Sequence, residues 1–196
     1  MGIFDNVVYE NGQIVDKSWV KWFHWGVPDE EGEERNTVRD HLETLGHCKP
    51  CTVLSGCYFV RSKLPKTEGG GLLHPKCDCR LNEIVKPSGK IEAVCPIKKF
   101  TEYIFSEKYA YNGKMELFKA LGFKKEDSEY LKREFDRQAK QKYLNGEYEL
   151  GRLNEHGQRI SITITVDSRT RKGIKLITGW MVHPLGKIIC TTPLGG

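Results

Sequence analysis

No stretch of this chain approaches the roughly 18 consecutive apolar residues of a spanning helix, so the sequence excludes a helical membrane protein. Met1 to Glu10 lack the basic and apolar regions of a secretory signal. Nothing directs secretion, and a cytoplasmic location is expected. No internal repeat is visible, which excludes a repeat array. Wholesale disorder is excluded too, because 38% of residues are hydrophobic and 29% charged. The 196 residues fit one ordinary domain or two small ones.

Cysteine is what the sequence has, in an uneven distribution. Of the 7 cysteines, Cys48, Cys51, Cys57, Cys77 and Cys79 cluster, while Cys95 and Cys190 stand apart. A disulfide framework needs an oxidising compartment, for which there is no signal. Clustered thiols in a reduced protein point to metal. Cys48-Lys49-Pro50-Cys51 is a CxxC knuckle, and His74-Pro75-Lys76-Cys77-Asp78-Cys79 lies downstream. Two such short-range pairs close a tetrahedron around Zn²⁺. Four thiolates meet only when a cation compensates their charge. Cys48 and Cys51 supply two ligands, and two more come from His74, Cys77 and Cys79. A closed site of this kind is structural. Cys57, Cys95 and Cys190 are expected to be ordinary buried residues.

Charge is uneven as well. Residues 1–47 carry 4 basic and 10 acidic side chains, residues 48–95 carry 8 and 4, and residues 96–150 carry 12 and 10. Residues 151–196 carry 7 basic and 2 acidic side chains, a balance compatible with a polyanion partner or a solubilising surface.

The local pattern divides the chain in two. Val7 to Val15 reads as a hairpin around Asn11-Gly12, a type I′ turn sequence. Trp19, Trp22, Phe23 and Trp25 suit a small core, with base stacking as the other use of such a cluster. An acidic loop follows at Asp29 to Glu34. Val38, Leu42 and Leu45 predict a short helix over Thr37–Leu45. Gly69-Gly70-Gly71 makes a flexible loop within the cysteine region, and Pro87-Ser88-Gly89 reads as a linker. The expected domains are therefore 1–86 and 91–196. Beyond the linker, helices are predicted at Ile97–Phe105, at Lys114–Leu121 with Gly122 as the stop, and after a cap at Asp127 or Ser128. Ile160, Ile162, Ile164 and Val166 alternate with polar residues as in a half-buried strand. Further strands are expected at Ile174–Val182 and Lys187–Thr192. The predicted class is α+β: a small zinc-stabilised module, then helices packed on an antiparallel sheet.

The cysteine segment, with Leu54-x-Gly56 between its two halves, resembles the C-terminal segment of phage head-morphogenesis (minor capsid) proteins over residues 45–82. Ser55 replaces the usual Asp, and Cys57 is an addition. That resemblance implies a zinc-binding module, phage head proteins as partners, and a toxin-like or enzymatic domain fused behind it. It also implies a virion-associated protein, or one delivered into a target cell.

Residues 91–196 resemble a toxin domain of the barnase/EndoU/colicin/RelE ribonuclease superfamily. The features are Ile91 to Tyr103, Gly113-Lys114 with Leu121-Gly122-Phe123, Gly157-x-Arg159, Thr178 to Val182, and Thr191-Thr192-Pro193. The resemblance implies helices before a four-stranded antiparallel sheet, RNA as substrate with tRNA as a candidate, and an immunity protein as partner. Metal-independent RNA cleavage uses the 2′-OH as nucleophile and needs a base, an acid and a cation for the pentavalent phosphate. His156 and His183 suit base and acid, Lys114 and Arg159 suit phosphate, and the Thr178 and Thr192 hydroxyls suit orientation. Each has a plain structural use too: a turn at His183-Pro184, strand formation for the threonines, solvation for Lys114 and Arg159. A phage structural or interaction protein, and a nucleic-acid-binding module without cleavage, are the competing readings.

Overall fold

A computed structural model of the chain describes residues 7–24, 49–65 and 79–195. Outside these lie Trp25, the acidic loop, the helix expected at Thr37–Leu45, the triple glycine, Cys48, His74 and Cys77. The chain folds as two units whose boundaries cut across the expected domains. The first comprises Met1–Ile91, Leu150–Arg159 and Val182–Lys187. The second comprises Glu92–Glu149, Ile160–Met181 and Ile188–Gly196. Helices and antiparallel strands give the α+β class. Among the described residues, no helix is long and apolar enough to cross a membrane.

In the first unit, β1 (Val7–Glu10) pairs antiparallel with β2 (Gln13–Asp16). Asn11 and Gly12 carry φ values of 49° and 79°, as the expected I′ turn demands. β3 (Trp19–His24) is the centre of a three-stranded sheet between β4 (Tyr58–Val60) and β5 (Cys79–Ile84). Both pairings are antiparallel, with Lys21 opposite Tyr58 on one side and Asn82 on the other. α1 (Lys49–Leu54) packs on β3. Trp19, Val20, Trp22, Leu54 and Phe59 form the core, so Trp19 and Trp22 are interior residues. Trp22 meets Phe59 edge-on, with centroids 6.4 Å apart.

The second unit starts at β6 (Glu92–Val94) and passes α2 (Lys114–Ala120) and α3 (Ser128–Leu144), after which the chain enters four strands whose residues 150–159 and 182–187 belong to the first unit. These are β7 (Glu149–Asn154), β8 (Gly157–Val166), β9 (Ile174–Val182) and β10 (Lys187–Thr192). The sheet order is β6-β10-β9-β8-β7. The connections at 155–156, 167–173 and 183–186 are too short for a parallel crossover, so β7 to β10 form an antiparallel meander. The sheet has five strands rather than four, because β6, which precedes the helices in the chain, joins it beside β10. Strand β8 buries Ile160, Ile162, Ile164 and Val166 as its alternation predicts.

The helices depart from expectation at their ends. The segment expected as an α-helix at Ile97–Phe105 contains a π-helical turn, Lys99–Ile104, with the Phe105 N–H donating to the Phe100 carbonyl at 2.9 Å. Among the described residues no side chain caps α3. A 3₁₀ turn precedes it, and there the Asp127 carboxylate accepts the Lys124 N–H while the Ser128 hydroxyl donates to the Lys125 carbonyl. Phe135, Leu131 and Ala139 are fully buried, and Phe135 meets Phe100 edge-on at 5.2 Å. Gln138 ties α3 to β8: its amide donates to the Thr165 carbonyl at 2.5 Å and accepts the Thr165 N–H at 2.9 Å.

Candidate nucleic-acid interface

Three tyrosines of the second unit form a row. The π-helical turn carries Tyr103, and the 3₁₀ turn Glu107–Asn112 carries Tyr109 and Tyr111. Ring centroids lie 5.1 Å apart for Tyr103–Tyr109 and 6.4 Å apart for Tyr109–Tyr111, with the planes tilted. Gly113 then turns the chain into α2 at φ 70°. A β-carbon there would meet nothing within 4 Å, so the glycine serves the backbone angle rather than close packing. The Asn112 side chain accepts the Lys114 N–H at 2.9 Å and fixes the start of the helix.

Lysines interleave with this row. Lys108 Nζ stands 5.5 Å from the Tyr109 centroid, and Lys114 Nζ stands 5.2 Å from that of Tyr103. Both distances fall within cation–π range. The same Lys114 ammonium donates to the Leu194 carbonyl at 3.2 Å, and Lys99 donates to the Thr191 carbonyl at 2.8 Å. The end of β10 and the chain just beyond it are thus held by two cations from the helical region. Thr192 lies between the two carbonyls they hold. Among the described residues the buried Thr191 hydroxyl has no hydrogen-bond partner. Tyr111 is 85% exposed, and its ring is the open end of the row. Sequence reasoning named Lys114 and Thr192 but missed Lys99, Lys108 and the tyrosines. Their signal was an aromatic–basic alternation from Lys98 to Lys114, which is not periodic.

Other sequence candidates lie elsewhere. Thr178 of β9 is completely buried. Its hydroxyl donates to the Ile162 carbonyl at 2.6 Å and accepts the Trp180 indole N–H at 2.7 Å, so both capacities serve the core. His156, Arg159 and His183 belong to the first unit. His156 occupies the β7–β8 turn, its backbone N–H on the Asn154 side chain and its ring 3.6 Å from the Glu155 carboxylate. Arg159 is half-buried on β8, beside Gly151, where a β-carbon would approach its own at 3.3 Å. His183 opens the β9–β10 turn, its N–H donating to the Lys187 carbonyl at 2.8 Å. In a meander the β7–β8 and β9–β10 turns fall at the same end of the sheet, and that end gathers the two histidines and Arg159.

Of the zinc candidates, Cys51 sits in α1 and Cys79 opens β5 opposite His24. Among the described residues no group of three or more His, Cys, Asp or Glu is placed to hold a metal. The donor set fits zinc chemically, with thiolates and one imidazole at knuckle spacing. Cys57, Cys95 and Cys190 are buried and take part in no disulfide among the described residues, and the Cys57 thiol is directed at the Val53 carbonyl. Hydrogen bonding to Cys190, with burial, pushes the Cys95 thiol up and keeps it protonated.

Residues 88–191 match the family described as a domain of unknown function, DUF6883. No curated protein and no solved structure matches the chain. The matched segment includes the tyrosine row and all six candidate catalytic residues except Thr192, and excludes the cysteine cluster.

Proposed function

The chain belongs to the DUF6883 family, and we propose that it binds single-stranded RNA and cleaves it as a metal-independent endoribonuclease of the toxin type. The observation that carries this reading is the tyrosine row with lysines over two of its rings. Every base has a π face, so an aromatic platform flanked by cations binds single strands with little sequence preference. In the cleavage step, His156 or His183 takes the 2′-OH proton and the other protonates the leaving oxygen. Arg159 stabilises charge on the reacting phosphate. Lys114 and Thr192, which belong to the unit of the tyrosine row, bind and orient phosphates of the strand. Thr178 acts by holding Trp180 rather than by touching RNA. The resemblance to phage head-morphogenesis proteins supports one structural Zn²⁺ on Cys48 and Cys51 with two of His74, Cys77 and Cys79. Such an ion would tie two distant chain segments together. An immunity protein is the partner this reading implies.

The test is incubation of the purified protein with total RNA in EDTA, scored for discrete fragments ending in 2′,3′-cyclic phosphate, with circular dichroism to follow the fold. Absence of cleavage by the folded protein would remove the enzyme. A second reading, a phage-head interaction protein without chemistry, is favoured by the β1–β2 hairpin, where Tyr9 and Ile14 are each 76% exposed.

A further inference from the structure

The sequence holds three Asn-Gly pairs: Asn11-Gly12, Asn112-Gly113 and Asn145-Gly146. Such a pair carries its own chemistry. The glycine amide nitrogen can attack the asparagine side-chain carbonyl, because no β-carbon shields it. A new N–Cγ bond closes a succinimide ring and ammonia leaves; water then opens the ring to aspartate or isoaspartate. Backbone angle does not separate the three pairs, since Gly12, Gly113 and Gly146 have φ values of 79°, 70° and 71°. Exposure does not either, since Asn11 and Asn145 are both exposed.

Hydrogen bonding separates them. The Gly113 N–H donates to the Ala110 carbonyl at 3.1 Å, and the Asn112 side-chain oxygen accepts the Lys114 N–H at 2.9 Å. The Gly146 N–H donates to the Tyr143 carbonyl at 3.0 Å, and the Asn145 amide donates to the Glu147 carboxylate at 3.0 Å. In both pairs the attacking nitrogen and the group it would attack are held elsewhere. Among the described residues, neither the Asn11 side chain nor the Gly12 N–H has a hydrogen-bond partner. A β-carbon at position 12 would meet nothing within 4 Å, so no neighbouring group bars the ring. Strands β1 and β2 form a sheet of their own, and every residue of β1 is exposed. A hairpin of two strands is marginally stable, so its tip leaves the turn geometry more readily than a packed segment does.

We propose that Asn11 is a site of spontaneous deamidation, with the Gly12 nitrogen as nucleophile and water as the only co-reactant. The product places a carboxylate at the tip of the hairpin, beside Glu10. The isoaspartate form also adds a carbon to the main chain, which breaks the two-residue connection that sets Glu10 opposite Gln13. Tyr9 and Ile14 face each other across the hairpin and are each 76% exposed. The modification therefore charges and loosens the most exposed apolar pair of the first unit, and it does so independently of RNA.

Peptide mass spectrometry of the full chain, aged at mildly alkaline pH, follows the conversion of amide to carboxylate at each asparagine. Two hydrogen bonds have to break before Asn112 or Asn145 cyclises, which should slow each about 5- to 150-fold relative to Asn11. In denaturant, where the fold protects none of the three, the rates should converge. The rate at Asn11 should rise with pH, because hydroxide removes the Gly12 amide proton, and enzymatic methylation should detect isoaspartate there. Asn11→Gln, whose longer side chain closes a less favourable ring, should abolish the fast conversion and leave Asn112 and Asn145 unchanged. Equal rates at the three sites in the folded chain, an advantage of Asn11 undiminished in denaturant, or a rate independent of pH would each overturn the proposal.

Discussion

Replacing Tyr111 by Ala tests the tyrosine row with little risk to the fold, because the ring is 85% exposed. Two of the three rings already have a cation over one face: Lys114 over Tyr103 and Lys108 over Tyr109. On the proposed reading, Tyr111 is therefore the ring that receives a base. Stacking of one base on an aromatic side chain is worth about 1–3 kcal/mol. That range converts to a loss of about 5- to 150-fold in affinity for Tyr111→Ala. Tyr111→Trp should retain or improve binding, since the face rather than the hydroxyl matters. The assay is fluorescence anisotropy with a labelled single-stranded oligoribonucleotide across a salt series. A slope of about −0.7 in log K against log salt per phosphate is expected on single strands. Because Tyr111 is uncharged, its replacement should move the intercept and leave the slope alone. Removing Lys108 or Lys114 should make the slope shallower by about one phosphate's worth. Equal affinities for parent and Tyr111→Ala, or a flat salt response in the parent, would refute the platform.

The remaining predictions concern stability and chemistry. Thr178→Val keeps the shape of the side chain but orphans the Trp180 indole N–H, at about 1–3 kcal/mol in denaturant titration; an unchanged midpoint would show that the hydroxyl does not hold the core. The Arg137 guanidinium bonded to Glu134, helped by Gln138, holds that carboxyl below its ordinary value of 4.5. A depressed pKa contributes stability above the unfolded value that is lost as pH falls through the lower folded one. Acid unfolding of the parent should therefore steepen below about pH 4.5, and Glu134→Gln should flatten that limb. Arg159→Ala should slow RNA cleavage about 100- to 1000-fold at an unchanged melting temperature, and Arg159→Lys should rescue poorly because an ammonium lacks the planar fork. Elemental analysis should find one zinc per chain, lost in Cys51→Ser with early melting; well under one equivalent in the reduced parent would end the metal reading.

The parts of the fold legible in the sequence are those where one physical rule acts alone. Alternation marks β8 because each of Ile160, Ile162, Ile164 and Val166 faces the core over ten residues. Asn11-Gly12 marks its turn because few residue pairs accept two positive φ values. Strand β6 was not legible: three residues, Glu92–Val94, are too short to show a period, and their partner β10 is nearly a hundred positions away. The π-helical turn escaped because Phe100 and Ile104 are spaced as in an α-helix, while the Phe105 N–H reaching the Phe100 carbonyl marks the wider ring. The cap of α3 was displaced by one turn because Asp127 finds a better donor in the Lys124 N–H of the preceding 3₁₀ turn.

The candidate site was less legible, since it depends on contacts rather than composition. The most basic segment, 151–196, suggested where a polyanion binds. Yet the cations of the tyrosine row, Lys108 and Lys114, come from a segment with 12 basic and 10 acidic residues. Net charge along a chain says little about charge on a face, because helical turns sort the signs onto different sides. Strand parity limits the chemistry in the same way. Along β9, Leu176, Thr178, Trp180 and Val182 all point into the core. A hydroxyl at position 178 is therefore committed to Ile162 and Trp180 before any ligand arrives. Groups able to meet a phosphate have to come from strand ends, turns and the opposite parity. His156 and His183 occupy turns, Thr192 ends β10, and Arg159 has the opposite parity to Ile160 on β8. If the protein cleaves RNA, its acid, base and cation must be drawn from those places, which makes the turns the first targets for mutation and the strand interiors the controls.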